Sequence, residues 1–417
     1  MKKLFVFLCV AGLIAASASF LFAGGIDNKH NWSAEWVRSL NRNAATDSAD
    51  AVSYNPAGVM KMDNGFYLNL TGQYALKEYS NTFLGTKYET DEPDFVPSLF
   101  GLYKQDKWAA YGAVTIVVAG GKVDFENGDN TTAGLGWRII GSSPLGAFTG
   151  ILDQRLEGKS YFIGYTIGGA YKINDILSVS LGARYVDASR EFKGFATLGG
   201  GFAGTQTYSV DYEETGDGWG GIIGVNISPT KELNIGLRYE TKTSIDLETK
   251  VTTNTLPGAL NPLITDGFKR NRDLPALLGL GVSYKFTPKI RVETNLTYYF
   301  NDDADWENVP ITSGDETKKD DGFDLGIAFE YTFNPKWKAS VGYMYTDVGI
   351  DPDNMSIETP ELDADTLAAG VAFKPAPNWN LNLGILESFY KDDTTSTGIK
   401  FEKDVIIIAL GVQYKFF

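Results

Sequence analysis

Hydrophobic and polar positions alternate with a period of two along most of the chain beyond residue 65. From Phe323 the odd positions read Phe323, Leu325, Ile327, Phe329, Tyr331 and Phe333, and the even ones Asp324, Gly326, Ala328, Glu330 and Thr332. The same pattern sets Tyr161, Ile163, Tyr165, Ile167 and Tyr171 against Gly164, Thr166, Gly168, Ala170 and Lys172. It returns in Leu233, Ile235, Leu237 and Tyr239 against Asn234, Gly236, Arg238 and Glu240. Successive side chains of a strand point to opposite faces, so each run predicts a strand with one apolar face and one polar or small face. A soluble β-sandwich alternates in the same way. Three features separate this chain from one. Its runs are long, where soluble strands average about 5 or 6 residues. The polar faces are rich in Gly, Ala, Ser and Thr, as a crowded lumen requires. Aromatic residues gather at strand ends, the arrangement of girdles at the two membrane interfaces.

The connections carry the same message. Tight, polar turns lie near residues 104–107, 172–175, 228–231, 286–289, 333–337 and 373–379, built from the turn formers Asn, Asp, Pro and Ser. Long acidic connections such as 251–273, 301–320 and 348–364 alternate with them. Short turns at one end and long loops at the other are the asymmetry of an outer-membrane barrel. The expected strands are 66–78, 94–104, 107–118, 159–173, 176–191, 206–228, 231–249, 274–286, 289–300, 322–333, 336–347, 365–374, 378–390 and 404–417. These fourteen form an all-β, antiparallel transmembrane β-barrel over residues 65–417. An even number suits a closed single-chain barrel. In the last strand Ile406, Ile408, Leu410, Val412, Tyr414 and Phe416 face lipid, and Ala409, Gly411, Gln413 and Lys415 face inward. A terminal aromatic on such a strand is what the barrel-assembly machinery reads during biogenesis, and here Phe417 follows the expected end position.

At the amino terminus Lys2 and Lys3 precede a charge-free stretch from Leu4 to Ala23. Small residues from Ala15 to Ser19 suit a signal-peptidase site, so residues 1–23 read as a secretory signal peptide cut after Ala18 or Ala23. The length would also allow an uncleaved anchor. Composition narrows the remaining classes. The chain of 417 residues carries 37 basic and 52 acidic side chains, a formal net charge of −15, with one cysteine (Cys9) and one histidine (His30). Such a chain is a poor nucleic-acid partner, because neutralising phosphates needs a basic surface. No zinc cluster or disulfide framework can be assembled, and no cofactor or metal site is expected. Barrels that hydrolyse lipids use a serine and a histidine on the wall, and the single His30 precedes the barrel, so no enzyme is expected.

Two segments break the alternation. Residues 131–156 hold Leu135, Trp137, Ile139, Ile140, Leu145, Phe148, Ile151, Leu152 and Leu156 at mixed helical spacing. That much apolar surface on an outer loop reads either as a helix packed on its neighbours or as an entry site for an apolar ligand. Leu135, Trp137, Ile140, Leu145, Phe148 and Leu152 are the ligand-capture candidates. Residues 24–64 are polar and contain SADAVSYNPAGVMKM from Ser48 to Met62. Asn55-Pro56-Ala57-Gly58 is by itself a turn, with Pro56 fixing φ and Gly58 allowing unusual backbone angles.

Placed between a signal peptide and a long barrel, that string resembles the FadL family of outer-membrane transporters for hydrophobic compounds. The resemblance spans the mature chain, and its specific part is the motif at Asn55, Pro56, Ala57 and Gly58. It implies that residues 24–64 form an N-terminal hatch that plugs the lumen. It also implies passive uptake of long-chain fatty acids or aromatic hydrocarbons, captured in an outer groove and released sideways into the membrane. A kink in the third strand opens that path in the family. Here the strand reads AAYGAVTIVVAGGKVDF, and Gly120 and Gly121 are the lateral-gate candidates.

A fatty-acid carboxylate in an apolar lumen needs a charge-assisted partner. Parity places Arg184, Arg238, Arg291 and Lys415 inward, with Arg184 and Arg238 as carboxylate-binding candidates, yet Glu240, Glu293, Asp324 and Glu330 are inward as well. The charges either bind ligand or pair with one another and hold the plug. Other partners expected are outer-membrane lipid and lipopolysaccharide, to which acidic loops offer carboxylates through bridging divalent ions. The competing readings are a general-diffusion porin and a structural or adhesive barrel.

Overall fold

The structure, a computed structural model of the protein, describes residues 32–307 and 319–417. Among these residues eighteen strands form one antiparallel sheet, and fourteen of them make the closed wall. In chain order they are β1 Gly65–Phe83, β2 Asp94–Lys104, β3 Trp108–Phe125, β4 Gly150–Lys172, β5 Leu177–Gly201, β6 Gly204–Ile227 and β7 Leu233–Glu240. The second half is β8 Ala276–Lys285, β9 Ile290–Phe300, β10 Gly322–Asn334, β11 Trp337–Asp347, β12 Ala364–Phe373, β13 Trp379–Tyr390 and β14 Lys400–Lys415. Each strand pairs with the next, and β14 returns to β1, with Tyr67 opposite Lys415 and Thr82 opposite Lys400. Closure leaves no edge of unpaired N–H and C=O groups, which hydrocarbon would penalise by several kcal/mol per group. The wall therefore crosses the membrane with strands.

Alternation decides which face is which. Along β14 the side chains of Val405, Ile407, Ala409 and Gln413 are buried, and Ile408 and Leu410 are exposed to the surrounding lipid. Trp108, Trp337 and Trp379 stand outward at the short-turn end, at the level of an interface girdle.

The lumen is filled by the chain's own amino-terminal segment. Residues from Trp32 onward run through two four-residue helices, α1 Ala34–Val37 and α2 Ala51–Tyr54, and a 3₁₀ turn at Gly58–Lys61. The Ser33 hydroxyl caps α1 by accepting from the Trp36 N–H. The segment's backbone lies so close to the wall that inward glycines are its seats. A Cβ on Gly236 would overlap the Asn43 carbonyl, and one on Gly342 would overlap that of Ser39. Polar contacts complete the fit. Arg38 donates from Nη1 to Glu330 (2.9 Å) and to Ser340 (2.9 Å), and from Nε to Asn382 (3.1 Å). The Gln413 side-chain oxygen accepts from the Ala49 N–H at 2.6 Å. Residues 1–31, which hold the expected signal peptide and the start of the expected hatch, lie outside the described residues.

The outer ends of the wall differ from the sequence expectation. β3 runs to Phe125, β4 starts at Gly150 and β5 reaches Gly201. The apolar insertion at 131–156 is accordingly shorter: helix α3 spans Asn130–Ser142, and residues 150–156 belong to β4. Beyond the membrane both faces are wet, so the alternation fades while the ladder continues. Ion pairs such as Arg155–Asp124 (2.6 Å) and Lys159–Glu191 (3.0 Å) take over from apolar contacts there. The expected strand 231–249 is broken instead. It leaves the ladder after Glu240 and resumes as Asp246–Asn254, paired with β6. The intervening residues pass close over Gly216 and Gly218, where a Cβ would overlap the Asp246 and Ser244 carbonyls.

Asn55 ties the lumenal segment to itself and to the wall, donating to the Ala45 carbonyl (3.0 Å) and to the Asn226 side chain (2.8 Å). Asn55→Ala removes both bonds and leaves the buried Ala45 carbonyl unsatisfied, a cost of about 1–3 kcal/mol, while the Asn226 oxygen still accepts from Asn234 (2.9 Å). The expected outcome is a barrel that keeps its heat-modifiable migration on gels but exchanges amide hydrogens faster over residues 43–60. Unchanged exchange in that segment would show that Asn55 does not hold it.

Candidate functional site

The motif residues sit at the lower end of the filled lumen. Beside the Asn55 contacts, the Ala57 carbonyl accepts from the Ser178 hydroxyl at 2.8 Å, and Pro56 packs where Gly224 of β6 lacks a side chain. Gly58 differs from expectation: its φ is not in the left-handed region. It is needed for space, because a Cβ there would overlap the Ala45 carbonyl and the Asn55 side chain. Arg184 and Arg238, singled out as carboxylate binders, share Glu240 as their partner. Arg238 also donates to the Ser53 carbonyl of the lumenal segment. Of the two readings of the inward charges, pairing that holds the segment is the arrangement found at these positions. Arg291 likewise bonds Glu293 (2.6 Å) and Glu330 (3.3 Å).

The wall itself parts in one place. β2 and β3 pair only from Leu99–Lys104 against Ala109–Val114. Above that, β2 stays with β1 and β3 stays with β4, so the ladder divides between them. Pro97 lies on β2 at the point of parting, and it has no N–H to offer. On β3 the register slips twice, between Ile116 and Val118 and between Ala119 and Gly121. Gly121 has φ +64°, which favours glycine, and a Cβ there would overlap the Asp94 carboxylate. Asp94 is held by Lys77 (3.6 Å) and by the Tyr161 hydroxyl (3.0 Å). The gate candidates Gly120 and Gly121 thus fall at the second slip, beside the division of the ladder.

Of the six capture candidates the structure gathers three. Phe148 is buried with Ile139, Leu198, Val210 and Leu256, and Leu135 and Ile140 pack against that cluster. Trp137, Leu145 and Leu152 remain exposed, Leu145 fully. The cluster joins α3 to the outer parts of β5 and β6 and to the loop near 256–264, so the insertion is both a packed helix and a source of exposed apolar surface.

Sequence reasoning missed a second charged group, near the outer end of the lumen. Arg270 grips Glu214 with two bonds of 2.7 Å, and Arg190 approaches the same carboxylate at 3.5 Å. Arg272, 2% exposed, lies over the Trp306 ring at 4.6 Å, with Lys319 over the same ring at 4.9 Å. Among the described residues neither Nη1 nor Nη2 of Arg272 has a hydrogen-bond partner. No alternating strand signal marked Arg270 and Arg272, because 269–273 reads as part of a polar loop, while Arg190 lies at the end of the expected strand 176–191. Against them folds an equally unexpected piece of the long connection after β11, residues 355–362, buried throughout. It is fastened by Asn81 donating to the Ile357 carbonyl (3.2 Å) and Lys403 donating to that of Pro360 (3.0 Å). Its Glu358 accepts from Thr131 at the start of α3 (2.5 Å) and from Ser356 (3.0 Å). A cavity of about 30 Å³ lies among Gly121, Leu156, Phe192, Tyr212, Arg190 and Glu358. Small-molecule sites span roughly 300–1,000 Å³, so occupancy here requires the 355–362 loop or its neighbours to move. The cavity nevertheless runs from Gly121 on the slipped part of β3 to Arg190 and Glu214 of this charged group.

The sequence profile of the family described as outer membrane protein transport protein (OMPP1/FadL/TodX) matches residues 157–416. No curated protein matches the chain by sequence. Among solved structures, a Pseudomonas aeruginosa FadL homologue superimposes with a TM-score of 0.71, over 95% of this chain and 100% of its own, at 14% identity. The P. putida toluene transporter TodX gives 0.66 over 89% of this chain and 96% of its own, at 14% identity. The Ralstonia pickettii toluene transporter TbuX gives 0.62 over 91% and 99%, at 17% identity. At these identities the likeness is one of fold.

Burial and the nearby Asp129 push the Glu358 carboxyl up to about 8. A raised value means that the folded loop favours the protonated acid. Its contribution is complete below the ordinary glutamate value of about 4.3 and fades as pH rises through about 8. Proteinase K cleavage within 355–362 should therefore accelerate between pH 7 and pH 9, by up to about tenfold. Glu358→Gln should hold the pH 9 rate near the pH 7 rate. Equal cleavage of the unaltered protein at both pH values would contradict this.

Proposed function

The chain belongs to the outer membrane protein transport family (OMPP1/FadL/TodX), and from that premise we propose that it takes up hydrophobic carboxylic acids, long-chain fatty acids foremost, by passive transfer through the plugged barrel. The observation that carries the choice of an acid over a neutral hydrocarbon is Arg272. The Glu361 and Glu214 carboxylates act on Arg272 from nearby, yet its Nη1 and Nη2 make no hydrogen bond among the described residues, and a buried guanidinium left so costs several kcal/mol until an acceptor meets those nitrogens directly. A carboxylate meets the planar fork with two parallel bonds, which an arene cannot do. The cavity beside the arginine group offers Leu156, Phe192 and Tyr212 to the start of an acyl chain.

The route follows from chemistry. Apolar solutes gain roughly 25 cal/mol for each Å² withdrawn from water, so capture on exposed Trp137, Leu145 and Leu152 and later release into lipid are both downhill. Residues 24–64 act as the hatch, and the divided ladder at Gly120 and Gly121 is the lateral exit. Release through the wall spares the solute rehydration in an aqueous pore. Nothing in this cycle uses bond-breaking chemistry or an energy source.

Two substitutions separate the parts of this reading. Arg272→Gln should weaken binding of oleate by about tenfold or more, by loss of a charge-assisted bond, while binding of toluene stays unchanged. Equal loss for both ligands, or none for oleate, would contradict an acid-binding role and favour hydrocarbon uptake. Gly121→Val, which cannot adopt φ +64° without strain and meets Asp94, should leave oleate binding measurable but cut transfer into liposome membranes severalfold. Transfer at the unaltered rate, in protein that keeps its heat-modifiable migration, would remove Gly121 from the exit.

A further inference from the structure

The division between β2 and β3 is a window with a closed frame. Its lower edge is the pair of Leu99 with Val114. Its upper edge is remade by the segment before β2, where the Asp124 N–H donates to the Thr90 hydroxyl (3.0 Å) and Lys122 meets Glu92 (3.3 Å). Among the described residues none of 94–98 on β2 pairs with β3, a gap of about 17 Å at the rise of a strand. One contact spans this gap. Asp94 stands at the start of β2, and the Tyr161 hydroxyl that donates to it (3.0 Å) belongs to β4, beyond β3. Ser160 and Phe162 are buried, so parity turns Tyr161 to the outer face, whereas Asp94 and Lys77 are themselves buried. The bond therefore joins an outward side chain to an inward one, where β3 slips and Gly121 carries no side chain. Lys77 of β1 faces the other Asp94 oxygen at 3.6 Å, longer than a hydrogen bond.

These three side chains display what the spot accepts: a carboxylate, with an ammonium at one oxygen and a phenol hydroxyl at the other. The cargo proposed above carries the same group. The cavity that touches Arg190 and Glu214 reaches Gly121, where a Cβ would overlap both the Asp94 carboxylate and the Lys77 ammonium. An acid leaving the arginine group along this cavity meets Lys77 next. Asp94 follows the exposed Pro93, so its carboxylate can turn to water when another takes its place. Depth favours the exchange as well. Tyr161 lies on the same face as Tyr165, which continues through Tyr185 (6.3 Å) to Trp219 (5.2 Å) as an outer aromatic girdle. A headgroup at Lys77 thus stays at the interface while the acyl chain enters hydrocarbon through the window below.

We propose that Lys77 and Tyr161 form a carboxylate station at the upper end of the window, where the cargo acid displaces Asp94 and releases the strap between β2 and β4. The station rests on the reading of acid uptake with lateral exit. Its test uses the full chain in liposomes, with oleate and oleyl alcohol as probes that share a chain and differ in head charge. Asp94→Asn removes the resident competitor and should speed oleate transfer roughly threefold. Lys77→Met combined with Asp94→Asn leaves no buried charge of the pair behind. That double variant should lower the ratio of oleate to oleyl alcohol transfer about tenfold, by loss of a charge-assisted contact. A merely structural role would slow both probes together and leave the ratio unchanged, which would overturn the station. Oleate transfer no faster in Asp94→Asn would overturn the displacement. The oleate binding of Arg272→Gln, read alongside, separates the two proposals. An unchanged ratio where that binding falls would remove the station and leave acid uptake standing. A lowered ratio where that binding holds would support the station and remove Arg272 from the acid site.

Discussion

A polypeptide in hydrocarbon has no water to bond its backbone, and that constraint shapes nearly everything in this molecule. It requires β14 to find β1, which fixes an even, antiparallel ring. It turns one face of every strand to lipid and the other to a lumen that must itself be filled. The filling comes from the chain's own start, and the small inward residues are the imprint of that choice. Gly236 and Gly342 are where the wall yields space to another backbone. A wall under this constraint does not part without reason. The division between β2 and β3 is therefore the feature with the clearest functional meaning, and Pro97 and Gly121 are the residues that permit it.

Charge inside the barrel is handled differently at the two depths. Lower down, Arg38, Arg42 and Arg238 are matched by Glu330, Asp50 and Glu240, so the pairs serve position rather than recognition. Breaking such a pair is costly, which suits a segment that has to stay seated until something shifts it. Higher up, three arginines gather around the single grip of Arg270 on Glu214, and Arg272 is left with an aromatic face. An aromatic face attracts a cation but leaves its N–H groups unsatisfied. The buried loop at 355–362 covers that group, and burial and Asp129 push its Glu358 toward the neutral form. On the proposed reading this is a closed resting state in which the acid-binding group is covered.

Much of the fold was legible because the membrane imposes a period of two. Strand β2 matched its expected bounds, and β9 to β13 fell within a residue or two of them. The signal failed where the membrane ends. Polar ladders such as Arg155–Asp124 have no apolar face to betray them, so β3, β4 and β5 run further than expected. The site was legible in part. Asn55-Pro56-Ala57-Gly58 and Gly120-Gly121 were visible as local departures from pattern, although Gly58 serves close packing rather than an unusual angle. Arg190, Arg270 and Arg272 were not visible, since they come together only when β5 and the outer part of the wall after β7 are folded side by side. The inward loop at 355–362 was hidden for a similar reason: its burial depends on Asn81 and Lys403, far away in sequence.

The central claim is that cargo leaves through the division between β2 and β3, and closing it chemically tests that most directly. Val96 and Val117 are buried residues on the two facing strands, and the only native cysteine, Cys9, precedes the described structure. A Val96→Cys, Val117→Cys double variant, bridged by a short cleavable dithiol crosslinker, can be assayed for oleate transfer in liposomes. Transfer should stop on crosslinking and return on reduction, with oleate binding intact throughout. Transfer that continues at the uncrosslinked rate would place the exit elsewhere and contradict the lateral route.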